Sequence, residues 1–178
     1  MLNKKTILGA EKNIRRYLAE GKLKKVEIFD SNIFNTYKKN YLESLKVANE
    51  LLKNNTSSLW VIVCSYYSMF YSTNAVLYKL GYKTGTEMVH KITLDSLIVF
   101  IRNKLRNELI DYFKEAKENA LELAEFKSNK LIEDFSFELD KRGRYQYDMG
   151  EEIKRARAET SLKRAKEFIF EMEKLLVS

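Results

Sequence analysis

An all-α fold is predicted, on three observations. The 178-residue chain contains no proline and only 6 glycines, so the residues that most often interrupt a helix are nearly absent. Lys, Glu, Leu and Ala, all good helix formers, are abundant. Along most of the chain apolar residues recur at spacings of three and four, the period of a helix with one buried face. At 45% hydrophobic and 32% charged, the composition is that of a folded chain, and the length suits one core. Residues 1–178 are therefore read as a single domain, an antiparallel helical bundle with an additional N-terminal helix.

The first helix is expected over Lys4 to Leu23, with Ile7, Ile14 and Leu18 on one face, Lys5, Lys12, Arg15 and Arg16 largely off it, and Gly21 near its end. Asp30-Ser31-Asn32 supplies cap residues for a second helix, whose stripe of Phe34, Tyr37, Tyr41, Leu45, Ala48 and Leu52 runs to Asn54-Asn55. From Leu59 to Leu80 the chain is almost uncharged. That length matches a membrane span of about 20 residues, but Ser65, Ser68, Ser72, Thr73 and Asn74 recur along it and the other helices are amphipathic. A helix buried on most sides by its neighbours accounts for both features. Gly81 closes it, Tyr82 to Glu87 forms a connector, and helices follow over about Val89 to Asn103 and Leu105 to Lys130. Leu131 to Tyr147 is ambiguous: Ile132, Phe135, Phe137 and Leu139 alternate as in an extended piece, whereas a helix turned at Gly143 fits as well. Glu151 to Val177 is a long amphipathic last helix.

Chemistry is sparse. With one histidine and one cysteine, a conventional zinc site lacks its ligands, and neither a dinucleotide fingerprint nor a Walker loop occurs. No cofactor and no metal are expected. Cys64 cannot form an internal disulfide, and the first residues lack the apolar core of a secretory signal, so a cytoplasmic setting is expected. Cys64 is read as a core residue and His90 as a surface or capping residue near a helix start, with a ligand, proton or RNA contact as the alternative for His90.

A net charge of +7 makes nucleic acid or an acidic partner plausible. The most suggestive stretch is Lys141-Arg142-Gly143-Arg144-Tyr145-Gln146-Tyr147-Asp148. Arginine grips phosphate through paired donors and tyrosine stacks on bases, so Arg142, Arg144, Tyr145 and Tyr147 form a candidate site for single-stranded RNA or a nucleotide. Lys154, Arg155, Arg157, Lys163, Arg164 and Lys166 continue the positive charge, interrupted by Glu151, Glu152 and Glu159. A solvated helix with mixed charge pairs explains that pattern equally well.

Ser65-Tyr66-Tyr67-Ser68-Met69-Phe70-Tyr71, followed by Asn74 to Tyr82 with its closing glycine, resembles the central helix of the HEPN family. Val89-His90-Lys91, Tyr41 to Leu45 with Ala48, and Ala158 to Phe168 resemble neighbouring elements, so the likeness covers about residues 36–176. It implies a HEPN-type bundle acting as a homodimer. It also implies an RNA-binding toxin component paired with a minimal nucleotidyltransferase antitoxin, with no membrane involved. The family signature is an arginine followed, after four to six residues, by a histidine; the matching positions here are Arg142 and Tyr147. On this resemblance Arg142 and Tyr147 are the candidate catalytic residues of a metal-independent ribonuclease, with His90 as a candidate auxiliary. Arg142 is suited to stabilising developing phosphate charge. Tyrosine, with a pKa near 10, is a poorer proton carrier at neutral pH than the histidine it replaces. The alternative is a non-catalytic module that binds RNA, a nucleotide or a protein. Tyr145 or Tyr147 is then a candidate for modification by the nucleotidyltransferase.

Overall fold

The computed structural model describes residues 3–136 and 151–177. The first helix, α1 (Lys4–Ala19), is capped by Asn3, whose side chain accepts from the Thr6 backbone N–H at 2.8 Å. It stops four residues earlier than the apolar spacing suggests. Gly21 adopts a left-handed φ of +68°, and the N–H groups of Gly21 and Lys22 fold back onto the carbonyls of Leu18 and Tyr17 at 3.3 and 2.9 Å. This glycine turn ends the helix and sends Leu23 into a strand, β1 (Leu23–Lys25).

Helix α2 (Ser31–Lys53) begins at Asp30, which accepts from Asn32 N–H at 2.8 Å, and helix α3 (Ser58–Lys79) begins at Ser57, which accepts from Trp60 N–H. Gly81 then takes φ +86°, a conformation costly for any residue with a β-carbon. The chain turns into β2 (Tyr82–Thr84), which pairs antiparallel with β1, Leu23 opposite Thr84 and Lys25 opposite Tyr82. This ribbon lies in the stretch read from sequence as a plain connector. Three-residue strands are too short to show an alternation, and their pairing joins segments about sixty residues apart.

Helix α4 (Val89–Ser96) passes into a π-helical turn over Leu97–Ile101 and a 3₁₀ turn over Arg102–Lys104. The helix expected to Asn103 is thus present without a gap, but it changes from α to π after Ser96 and tightens to 3₁₀ after Ile101. Helix α5 (Asn107–Ser136) continues through Leu131 and Phe135, resolving that part of the ambiguous stretch as helix, and α6 (Glu151–Val177) is the last element.

Four long helices alternate in direction along the chain. Ala48 packs against Val61 and Ile62, Phe113 on α5 lies 5.8 Å from Tyr66, and Phe168 on α6 lies 5.6 Å from Phe113. The Lys79 ammonium donates to the Leu176 carbonyl at 2.9 Å, so α3 and α6 run parallel and end together. Helix α3 touches α2, α5 and α6. Fifteen of its side chains are buried, Val63, Tyr66, Met69 and Leu77 among them. This is the near-uncharged segment, and burial on most sides replaces the one-sided stripe of its neighbours. Among the described residues no helix is long and apolar enough to cross a membrane.

Most of the polar side chains that break the apolar run of α3 are satisfied within it, the buried Ser65 hydroxyl excepted. Ser68 donates to the Ser65 carbonyl at 2.7 Å, and Ser72 and Thr73 both donate to the Met69 carbonyl. Asn74 donates to the Phe70 carbonyl at 2.9 Å and to Thr93 Oγ1 at 3.2 Å, and it accepts from Thr84 Oγ1. Short polar side chains can enter a core in this way because their donors are satisfied one turn back on their own helix.

Candidate functional site

Arg142, Arg144, Tyr145 and Tyr147, the candidate RNA-binding and catalytic residues, lie outside the described residues, in the chain between α5 and α6. Of the candidate catalytic, binding and auxiliary residues, His90 is the one that lies among the described residues. It is the second residue of α4, following Met88, which has a left-handed φ of +51° and caps the helix without a side-chain bond. This turn directs the imidazole back onto α3. The ring is half-buried against Phe70 at 4.8 Å between centroids, Tyr66 at 5.6 Å and Tyr67 at 5.9 Å. His90 is therefore neither a cap nor an open surface residue.

His90 Nδ1 and the Tyr66 hydroxyl are 2.7 Å apart. Burial holds the Tyr66 pKa far above its ordinary value, so the phenol keeps its proton. Burial, reinforced by the Lys117 ammonium, lowers the His90 pKa. The imidazole is consequently neutral at pH 7, and its tautomer decides which partner of the bond donates. The pair orients a neutral histidine within an aromatic box and requires no charge there.

This geometry has a pH consequence. The folded pKa of His90 lies below the ordinary 6.5, so between those values the unfolded chain binds more protons, and stability falls as the pH drops through that window. Asp95 works in the opposite direction. Burial raises its pKa above the usual carboxylate value, so acidification through its own, lower window relieves a cost. In urea titrations between pH 7.5 and 5, the wild type is expected to lose stability on acidification faster than His90→Phe. Parallel slopes for the two proteins would show that His90 is not held neutral.

Asp95 was not singled out by sequence reasoning. It is 8% exposed, and its Oδ2 accepts from Asn13 Nδ2 at 3.0 Å and from the Tyr17 hydroxyl at 3.1 Å, both on α1. The signal was a lone carboxylate between Leu94 and Leu97, within the apolar run from Ile92 to Ile101. Such a group is buried only with partners. Cys64 is half-buried beside the cluster of Ala48, Val61 and Ile62, and burial pushes its thiol pKa up. That keeps it protonated and unreactive at neutral pH.

The charges expected along α6 are distributed unevenly. Arg155 is engaged, its Nε bonded to Glu159 at 3.1 Å and its Nη1 donating to Asn55 Oδ1 at 2.9 Å. Arg164 pairs with Glu115 on α5 at 2.7 Å and lies over the Tyr112 ring at 4.7 Å. Arg157, Lys163 and Lys166 are exposed, and Lys154 is half-buried. The ion pairs of Arg155 and Arg164 are those of a solvated mixed-charge helix. Among the described residues, no three His, Cys, Asp or Glu side chains group to hold a metal ion.

No family model matches the chain, and no solved structure matches it.

Proposed function

We propose that this chain is a HEPN-type RNA-binding protein, the toxin component of a pair with a minimal nucleotidyltransferase. On this reading it acts as a cytoplasmic homodimer whose RNA cleft is built around Arg142, Arg144 and Tyr147. The observation that carries the reading is α3. The segment that resembles the family's central helix, from Ser65 to Tyr82, is one buried helix closed by a left-handed glycine, at the centre of an all-α bundle. The net charge of +7 and the exposed cations of α6 support a polyanionic ligand.

A second reading, RNA binding without cleavage, draws on a specific observation. Tyr147 stands where the family's histidine would be, and the chain's one histidine is hydrogen-bonded to Tyr66 in an aromatic box. Neither residue is then a ready proton carrier at neutral pH.

RNA binding and cleavage measured side by side, for wild type, Arg142→Ala and Tyr147→Phe, separate the two. Wild type should bind single-stranded RNA, more weakly as salt rises, and Arg142→Ala should lose more affinity than Lys174→Ala, whose ammonium is already paired with Glu171. Cleavage abolished by either motif substitution favours the toxin, whereas binding without cleavage favours the non-catalytic module. Absence of RNA binding in all three would remove both readings. Sedimentation of the same samples as strict monomers would remove the shared cleft.

A further inference from the structure

Among the described residues, a concave surface lies between α5 and α6, with Ile62 of α3 at its edge. It is a cleft of about 320 Å³, lined by Glu115 and Asn119 of α5 and by Arg157, Thr160, Ser161 and Arg164 of α6. That volume is at the small end of ligand sites, which run from about 300 to 1,000 Å³. It suits one nucleotide unit better than a folded partner surface.

The lining has a consistent chemistry. Arg157 and Arg164 are seven residues apart on α6, two turns along one face, so both guanidinium groups border the same opening. Thr160 and Ser161 lie between them, and the Asn119 amide faces them from α5. Two guanidinium groups, the Ser161 hydroxyl and an amide are donors of the kind that bind phosphate oxygens, while the Thr160 hydroxyl donates to the Ala156 carbonyl at 2.9 Å. The single carboxylate present, Glu115, already holds Arg164 at 2.7 Å, and that guanidinium rests on the Tyr112 ring. Glu115 therefore occupies the arginine that an incoming phosphate would take, and at the same time keeps its fork oriented.

We infer that this cleft is a second phosphate-binding site for a single-stranded RNA backbone, in which Arg157 and Arg164 grip a phosphodiester and Glu115 is a competing internal anion. The inference rests on the RNA-binding reading and extends it to residues outside the 142–147 motif. The affinity for RNA would then be set partly by the exchange of Glu115 for phosphate on Arg164.

The test uses the full chain, a labelled ten-residue oligouridylate and free uridine monophosphate, with thermal unfolding followed for every variant. Glu115→Gln should tighten RNA binding by about 1.5-fold to fivefold, the worth of an exposed ion pair removed from competition. Arg157→Ala should weaken binding and reduce the slope of log affinity against log salt by about 0.7, the share of one phosphate contact on a single strand. Arg142→Ala serves as the comparison. If it abolishes binding while Glu115→Gln and Arg157→Ala behave as wild type, the RNA-binding reading stands and the cleft assignment falls. If wild type binds no RNA, both fall. Uridine monophosphate binding as tightly as the ten-mer would overturn the assignment to a strand. Should Arg157→Ala lower the melting temperature, Ser161→Ala, on the same wall, should still weaken RNA binding; wild-type affinity there would count against the cleft.

Discussion

Replacing Phe70 by alanine is expected to destabilise the fold by about 3 to 5 kcal/mol, the usual cost of deleting a buried aromatic ring. Phe70 is 7% exposed, and its ring centroid lies within 4.8 Å of His90, 5.3 Å of Tyr71 and 6.1 Å of both Tyr66 and Tyr67. Its removal opens a void in the aromatic box and takes away a wall of the His90 pocket. Urea unfolding of the purified variant measures the loss. A change below about 1 kcal/mol would mean that this face of α3 is not packed as described. Phe70→Leu, which retains much of the volume, should recover part of the stability.

The second large effect is expected at Tyr17. This side chain is fully buried in the cluster of Ile14, Leu23 and Ile92, and its hydroxyl donates to Asp95. Tyr17→Ala should cost about 3 to 5 kcal/mol through the lost ring. Tyr17→Phe keeps the ring and removes one partner of a buried carboxylate, which should cost about 1 to 3 kcal/mol. The difference between the two substitutions separates packing from hydrogen bonding at the seam between α1 and α4. Equal losses would assign the whole effect to the hydroxyl, and a neutral Tyr17→Phe would show that Asn13 alone suffices for Asp95.

Most of the helices could be read directly from the residues, because their information is local. The stripe from Phe34 to Leu52, the cap at Asp30, and the glycine closing α3 each act within a few residues of themselves. The near-absence of charge from Leu59 to Leu80 likewise announced the most buried helix. What escaped was set by contacts distant in sequence. The pairing of Leu23 with Thr84, the carboxylate of Asp95 beneath Tyr17, and the hydrogen bond between Tyr66 and His90 join segments 24 to 78 residues apart. No periodicity within either partner reports such pairs. Tyr66 was visible as part of an aromatic motif, and His90 as a residue near a helix start; that they are one unit depends on the left-handed turn at Met88. Within the candidate cleft, Arg157 and Arg164 were legible as part of a run of charge. Their opposing wall, Glu115 and Asn119, comes from a different helix and could not be assigned to them from spacing.

The parallel course of α3 and α6 has an electrostatic consequence for the bundle. Each helix carries a partial negative charge of about half an elementary unit at its C-terminus, and here two such ends finish side by side. Left alone, these like partial charges would repel each other. Lys79, in the last turn of α3, reaches across to the final turn of α6 and donates to the Leu176 carbonyl. One ammonium thus serves two helix dipoles. It is placed on the helix whose interior carries almost no charge, at the point where that helix first meets water. The same alternation of direction brings the positive starts of α2 and α5 to this end of the molecule, so the field of the four long helices largely cancels there and leaves the lysine to balance the residue.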